Sequence, residues 1–350
     1  MRGQPGFFDV EERLKELSAK GDELERLKAV VDFELFRADL ERAVPRSDRA
    51  KGGRPAFDHV LMFRVLILQT SHSLSDERTE YLIKDRLSFM RFLGLGLADT
   101  VPDANTIWTF REALTRARLG GKPAIEVLFA RFETALSAAG FLAKGGQIID
   151  ATIVSAPKQH NSREDNETIK EGETPEDWKS KLAKNRQKDK DARWTKKHER
   201  SYFGYKNHIG VDRRHKLVRR YVVSDASVHD SQKFEDVLDA SNTASDVWAD
   251  SAYRSDEIEE KLAARGLKSR IHRRAYRNRE LSEAQKAANT TRSKVRARVE
   301  HVFGDQKNGM GAELVRTIGI VRARCKIGMT NLAYNMRRFV CLERMAAAAR

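Results

Sequence analysis

The run Ile148-Ile149-Asp150-Ala151-Thr152-Ile153-Val154 decides the fold. It is short, apolar and rich in β-branched residues, and it follows the pair Gly145-Gly146. Such a run reads as a buried strand, Gln147 to Val154, at the start of a new kind of structure. One residue in it is out of place. An ionised carboxylate inside an apolar strand is costly unless it is paired or coordinates a cation. Asp150 is therefore a candidate ligand, with a buried hydrogen-bonding role as the plain alternative.

Working outward, the two sides of this strand differ. Upstream the pattern is helical. Residues 8–44 read as helix, with Leu14, Leu17, Leu24, Leu27, Val31, Leu35 and Phe36 mostly three, four or seven apart. A break at Gly52-Gly53-Arg54-Pro55 precedes an apolar helix from Phe57 to Leu68. Another helix spans Ser75 to Leu82 with Ser75 as its N-cap. Pro102-Asp103-Ala104-Asn105 caps a helix through Ile107, Phe110 and Leu114, and a last one covers Pro123 to Ala139. Downstream, residues 201–211 and 217–223 read as strands joined by the turn Asp212-Arg213-Arg214-His215. Asp230 and Ser231 open a helix through Phe234, Val237 and Leu238. Asp246 to Ala249 is a strand, Leu267 to His272 a weaker one, and helices follow. The order predicts an α/β fold with a mixed sheet behind an all-helical N-terminal region. Three parts are expected: N-terminal helices over 1–50 suited to dimerisation, a helical region over 51–140, and an α/β domain over 141–345.

Between the first two strands lies a charged insertion, 158–200. Its main apolar residues are Ile169, Trp178, Leu182 and Trp194. So little apolar surface cannot form a core, which predicts a partly disordered arm that orders on DNA, with Trp178 or Trp194 free to stack on bases. A solvated, mobile insertion is the plain alternative.

The 350 residues carry a formal net charge of +15, and 33% of them are charged. This excess favours a polyanionic partner, most simply nucleic acid. A membrane partner is disfavoured: no long apolar stretch or lipidation signal is present. The first ten residues lack the pattern of a secretory leader, and Cys325 and Cys341 form neither a zinc site nor a disulfide framework. A reducing cytoplasm is expected. The charge is unevenly placed. From Arg265 to Val299 twelve lysines and arginines face only Glu280 and Glu283, which leaves +10 in that stretch. Among them, Arg292, Lys294, Arg296 and Arg298 flank Glu300 and are expected on a DNA backbone, so affinity should fall steeply with salt.

Two further acids accompany Asp150. Asp250 ends the strand Val247-Trp248-Ala249-Asp250, and Glu300 lies in an apparent helix, Val295 to Gly304, near its apolar face. Taken singly, Asp250 can cap the next turn and Glu300 can be a solvated helix residue. If the three meet, their repulsion demands cations. Magnesium suits a few carboxylates plus phosphate oxygens, and two such ions serve an in-line displacement at phosphorus. Arg296 and Lys307 lie four before and seven after Glu300, which on an α-helix is the same side. A row of ordinary helix salt bridges is the alternative. On the strand ahead, Lys206 and His208 alternate and so share a face.

These residues resemble a known family. Arg296, Glu300 and Lys307 match the tyrosine–arginine–glutamate–lysine signature of bacterial insertion-sequence transposases of the IS-five group, with Ser293 standing at the tyrosine position. Asp150-Ala151-Thr152, Gly204-Tyr205-Lys206-Asn207-His208, Ser227-Val228-His229-Asp230-Ser231 and Ala249-Asp250-Ser251-Ala252-Tyr253 are similar to the group as well. So are Gly53-Arg54-Pro55, Leu74-Ser75-Asp76-Glu77 and Pro102-Asp103-Ala104-Asn105-Thr106. The resemblance spans roughly Gly52 to the C-terminus.

It implies DNA binding for the helical region over 51–140 and, over 141–345, a ribonuclease H-like catalytic domain in which Asp150, Asp250 and Glu300 hold two Mg2+ ions, with Mn2+ able to substitute. It implies cleavage at the ends of an insertion sequence and strand transfer into target DNA. It also implies recognition of terminal inverted repeats, a homodimer on paired ends and a nucleoid-associated bacterial setting. Lys206 and His208 join the basic residues as expected DNA contacts. Two other readings stay open: a nuclease of the same fold without strand joining, and a non-catalytic DNA-binding derivative.

Overall fold

A computed structural model describes residues 6, 8–46, 52, 55–197, 199–275 and 280–349. The expected break at 52–55 and part of the basic stretch, 276–279, lie largely outside them. The chain divides into two compact units, Met1–Ala138 with Leu332–Arg350, and Ala139–Asn331.

The first unit is helical. The helix expected over 8–44 is in fact four pieces: α1 (Asp9–Lys20), α2 (Glu23–Val30), a 3-10 turn (Phe33–Phe36) and α3 (Arg37–Ala43). Gly21 ends α1 in the left-handed region. Asp22 and Asp32 then each accept a backbone N–H of the next piece, at 2.9 Å, so capping overrides the continuous apolar period. The apolar stripe is spent inside the unit, where Leu24, Leu27, Val31, Phe36 and Leu40 are buried, and it needs no partner helix.

α4 (His59–Ser71) is apolar on nearly all sides and buried along most of its length, which makes it the central helix. Around it stand α5 (Asp76–Asp85), α6 (Leu87–Leu93), α7 (Ala104–Arg116) and α8 (Ala124–Ala138). A short hairpin of β1 (Arg118–Leu119) and β2 (Lys122–Pro123) precedes α8. Ser75 caps α5 and Asp103 caps α7, as read from sequence. Phe36 anchors an aromatic cluster with Phe63 at 4.8 Å and Phe132 at 6.3 Å between ring centroids.

The second unit is built on a mixed sheet. Its strands are β3 (Gln147–Ser155), β4 (Arg193–Lys197), β5 (Arg200–Asp212), β6 (Val218–Asp225), β7 (Asp246–Trp248) and β8 (Lys268–Ser269). Both β4 and β6 pair with β5, which pairs antiparallel with β3; β3 then pairs parallel with β7, and β7 with β8. This is the mixed α/β architecture expected of a ribonuclease H-like domain. One face packs on Phe234, Val237, Tyr253, Ile258 and Leu262, the latter two from α12 (Asp256–Ala264). The other carries Val154, Phe203 and Tyr205 against Val315, Ala323 and Ile327. α13 (Glu283–Gly304) packs on β3, a π-helical turn (Asp305–Gly309) follows it, and α14 (Ile320–Ala348) is the last helix. Cys325 is buried and Cys341 half-buried in α14, and neither is in a disulfide.

Two expectations fail here. No full helix follows Asp230. Two 3-10 turns, Asp230–Lys233 and Glu235–Val237, take its place, and the cap is the His229 ring rather than the Asp230 side chain. The insertion is also folded rather than an arm lacking a core. It forms α9 (Arg163–Lys170), α10 (Glu176–Ser180), α11 (Leu182–Gln187) and β4. Trp178 is fully buried, with the Lys188 and Lys184 ammonium groups 5.1 and 5.7 Å from its ring centroid. Lysine stems cover the indole where aliphatic residues are lacking, so Trp178 has no surface to offer a base.

Candidate active site

The parallel register of β3 and β7 pairs Gln147 with Val247 and Ile148 with Trp248. Two residues further on, Asp150 and Asp250 leave adjacent strands at the same level. Asp150 stands on β3 opposite Ile209 of β5, and its Oδ1 accepts the Ala151 N–H at 2.8 Å. Burial pushes its carboxyl up from 3.8 to about 6. The Asp250 carboxylate adds to the rise, while Arg296, the Ala151 N–H and Lys197 oppose it. Asp250 uses Oδ1 to cap the turn Ser251–Tyr253, accepting from Ala252 N at 2.8 Å. Its Oδ2 lies 3.9 Å from Nη1 of Arg296.

Arg296 is the link to the third acid. Its Nη2 donates to Oε1 of Glu300 at 3.1 Å, and the Glu300 side chain is 64% exposed. Glu300 therefore stands at the edge of the apolar face of α13, formed by Val299, Val302 and Phe303, and its carboxylate is not turned inward. The structure brings Asp150 and Asp250 together and ties Glu300 to them through Arg296. Among the described residues, no three His, Cys, Asp or Glu side chains stand close enough to hold one metal ion. The donor chemistry nevertheless fits a hard divalent cation. Two carboxylates stand side by side, and burial, with a smaller contribution from Asp250, disfavours the charged form of Asp150 in the absence of a cation.

The raised carboxyl of Asp150 has a measurable consequence. Between pH about 4 and 6 the folded chain keeps a proton that the unfolded chain releases. Metal-free stability should therefore fall as pH rises through that window, by roughly 3 kcal/mol at about 1.4 kcal/mol per pKa unit. Thermal unfolding in chelator, compared with Asp150→Asn, checks this: the variant should lose that fall, and identical profiles would refute the enclosure of Asp150.

Lys307 lies outside α13, in the π-helical turn. Alpha-helical spacing therefore does not set its direction. It lines a cavity with Thr152, Asn207, Gln306, Lys326 and Thr330. Because Thr152 is two residues from Asp150 on β3, the cavity opens on the Asp150 face of the strand. Lys307 makes no hydrogen bond or ion pair among the described residues.

Lys206 and His208 do share a face, the one opposite to that of Asp150. His208 pairs in register with Ala151, so both point away from the Asp150 side. Lys206 Nζ donates to Val228 O at 2.7 Å and pairs with Asp230 at 2.8 Å. His208 is fully buried, its Nε2 is 2.9 Å from Ser224 Oγ, and burial holds it down to about 4, neutral at pH 7. Neither offers DNA a contact as folded.

The basic stretch is partly spent inside the fold. Arg265 pairs with Glu235 and Arg270 with Asp246. Arg292 donates to Ile271 O at 3.0 Å and Arg298 to Arg213 O at 2.8 Å. Lys294 is exposed and makes no hydrogen bond or ion pair among the described residues.

Two neighbours of the acids were not singled out in the sequence. Tyr253, at the end of the turn that Asp250 caps, has a buried hydroxyl with no hydrogen-bond partner among the described residues. Burial, with Asp150, Asp230 and Asp250 around it, holds it protonated. His272 donates its backbone N–H to Ala249 O at 3.1 Å, beside Asp250, and its Nε2 is 3.4 Å from Oγ of Ser293. Burial, then Arg296 and Arg292, lowers its pKa. The Ala249-to-Tyr253 motif contains Tyr253 but gives no sign of the buried hydroxyl, and nothing in the sequence signals His272.

Residues 142–336 match the family described as Transposase DDE domain. Residues 12–113 match a second family, Transposase domain (DUF772). No solved structure matches the chain.

Proposed function

The chain belongs to the DDE transposase family, and from that premise we propose that it cuts DNA at the ends of its own insertion sequence and joins the freed 3′ hydroxyls to target DNA. The observation that carries this reading is the emergence of Asp150 and Asp250 side by side from β3 and β7, with Arg296 reaching them from the helix that bears Glu300. Divalent metal, two Mg2+ with Mn2+ able to substitute, supplies Lewis acidity at the reacting phosphate when bound.

The chain's own residues have separable tasks. Asp150 and Asp250 provide fixed oxygen donors, one anchored by the Ala151 N–H and the other by the Ala252 N–H. Glu300, exposed and held only by Arg296, completes the set by giving up that pair. Arg296 then turns its guanidinium to phosphate oxygens, where its fork geometry suits two at once. Lys307 adds a point charge on the same face, and Lys294 meets the backbone further out. Tyr253 keeps its proton and so adds no negative charge behind the acids.

The helical unit is the part proposed to bind the terminal inverted repeats. α5 and α7 expose Tyr81 and Trp108 there, and Glu80 of α5 accepts the first N–H of α7 at 2.9 Å. A homodimer holding paired ends and a nucleoid-associated setting complete the proposal. Among the described residues no helix is long and apolar enough to cross a membrane. The test is metal-dependent cutting of DNA that flanks the gene, by the wild type and by Asp150→Asn.

A further inference from the structure

β5 is longer than the strands beside it. It pairs with β3 from Gly204 onward, and before that it runs free of β3 alongside β4, with Lys197 opposite Arg200, Lys196 opposite Ser201 and Trp194 opposite Phe203. Register fixes which side each residue takes. Asp150, Thr152 and Val154 share one face of β3. Tyr205, opposite Val154, and Phe203 continue that face on β5. Trp194, opposite Phe203, and Lys196 continue it on β4. One sheet face therefore runs from Asp150 out to Trp194 and Lys196.

The outer end of this hairpin is open and basic. Trp194 packs its ring on Phe203 at 5.3 Å yet remains 41% exposed. Lys196, Lys197 and Arg200 are exposed, and none makes a hydrogen bond or ion pair among the described residues. Glu199 is the only acid between Arg193 and Phe203. Lys197 is also one of the cations whose field reaches the Asp150 carboxyl. The inner end is fixed. Tyr205 donates its hydroxyl to Asp189, which with Asp191 also caps the start of α14 through the N–H groups of Gly319 and Ile320. At Gly204 a side chain would sit 2.3 Å from Val154 O, so only glycine lets the strands close there.

We propose that the β4–β5 hairpin is a DNA clamp, in which Lys196, Lys197 and Arg200 take phosphates of the duplex held at Asp150 and the exposed Trp194 indole packs on an adjoining sugar or base. This rests on the transposase reading of the Asp150 site. DNA is the occupant that the placement selects. Lys196 lies at the far end of the face that carries Asp150, Lys197 and Arg200 pair with each other next to it at the end of the same hairpin, and the single exposed aromatic there is too small an apolar surface for a protein interface.

The experiment uses the full chain and a labelled duplex of the DNA flanking the gene, with binding followed by fluorescence anisotropy over a salt series. The triple variant Lys196→Ala, Lys197→Ala, Arg200→Ala should bind at least about tenfold more weakly at low salt. Its slope of log affinity against log salt should be shallower by about 2 to 3. Trp194→Ala should weaken binding by about fivefold or more and leave the slope unchanged. A charge-keeping variant, Lys196→Arg with Lys197→Arg and Arg200→Lys, should keep the wild-type slope, and its loss would overturn the clamp. Metal-dependent cutting by the wild type is run alongside. If the wild type cuts while the triple variant keeps the full slope, the clamp is wrong. If the wild type neither binds nor cuts, the underlying transposase reading fails instead.

Discussion

Asp150→Asn should abolish cutting of element-end DNA while leaving DNA binding nearly unchanged. The substitution keeps the size of the side chain and an Oδ1 that can accept the Ala151 N–H, so β3 has no reason to move. What it removes is a negative charge at the centre of the donor set. Loss of a principal electrostatic group of this kind costs on the order of a thousandfold in rate, and a lost metal ligand should cost at least that. On the proposed reading binding is carried by cations elsewhere, including Arg296, Lys307 and Lys294, and these remain. The fold should gain rather than lose stability at neutral pH, because a neutral amide replaces a half-buried carboxylate whose charged form its surroundings disfavour. Joining of precut ends should be lost together with cutting, if one site performs both phosphoryl transfers as proposed. A variant that still cuts in magnesium would remove Asp150 from the chemistry. A wild type that cuts but never joins precut ends would make the chain a nuclease of the same fold.

The second large effect concerns stability and lies away from the acids. Asp212 and Arg219 form a nearly solvent-free ion pair at 2.9 Å beside the β5–β6 turn. Asp212 also accepts the N–H groups of His215 at 2.7 Å and Leu217 at 3.2 Å, and Arg219 donates to Phe141 O at 2.8 Å. Asp212→Ala takes the Asp212 carboxylate away from a buried guanidinium and from the N–H groups of His215 and Leu217. The expected loss is about 3–5 kcal/mol in denaturant unfolding. Replacing both residues, Asp212→Ala with Arg219→Met, should recover part of it, because the isolated charge is gone. A single-variant loss under about 1 kcal/mol would mean that water reaches the pair.

What the sequence disclosed, and what it withheld, follows from the range of each interaction. β3, β5, β6 and β7 announce themselves locally through apolar, β-branched runs, and Ser75 and Asp103 mark their helix starts in the same way. The meeting of Asp150 with Asp250 depends on parallel pairing across about a hundred residues of chain, so only the family resemblance anticipates it. Periodicity misleads where a cap competes with it: Asp22 and Asp32 divide the N-terminal helix, and the His229 ring caps a 3-10 turn in place of a helix capped by Asp230. Alternation correctly puts Lys206 and His208 on one face but cannot say which face of the sheet is buried. Composition implies an insertion without a core because it counts lysine as polar, whereas Lys184 and Lys188 shield Trp178 with their stems. Lys307 escapes helical geometry through a π turn. Tyr253 and His272 become visible only when burial and neighbours are known.

The central claim is that Asp150, Asp250 and Glu300 hold the same metal ions, although Glu300 is paired with Arg296 in the structure. Iron-directed cleavage of the protein backbone tests this most directly. Fe2+ replaces Mg2+ in the wild type, peroxide and ascorbate generate radicals at the bound ion, and the cut positions in the chain are mapped. The account predicts three clusters of cuts, near residues 150, 250 and 300, all suppressed by excess Mg2+ and all lost in Asp150→Asn. Cuts near 150 and 250 alone would leave Glu300 as a salt-bridge partner of Arg296, and cuts insensitive to Mg2+ would contradict the shared metal site altogether.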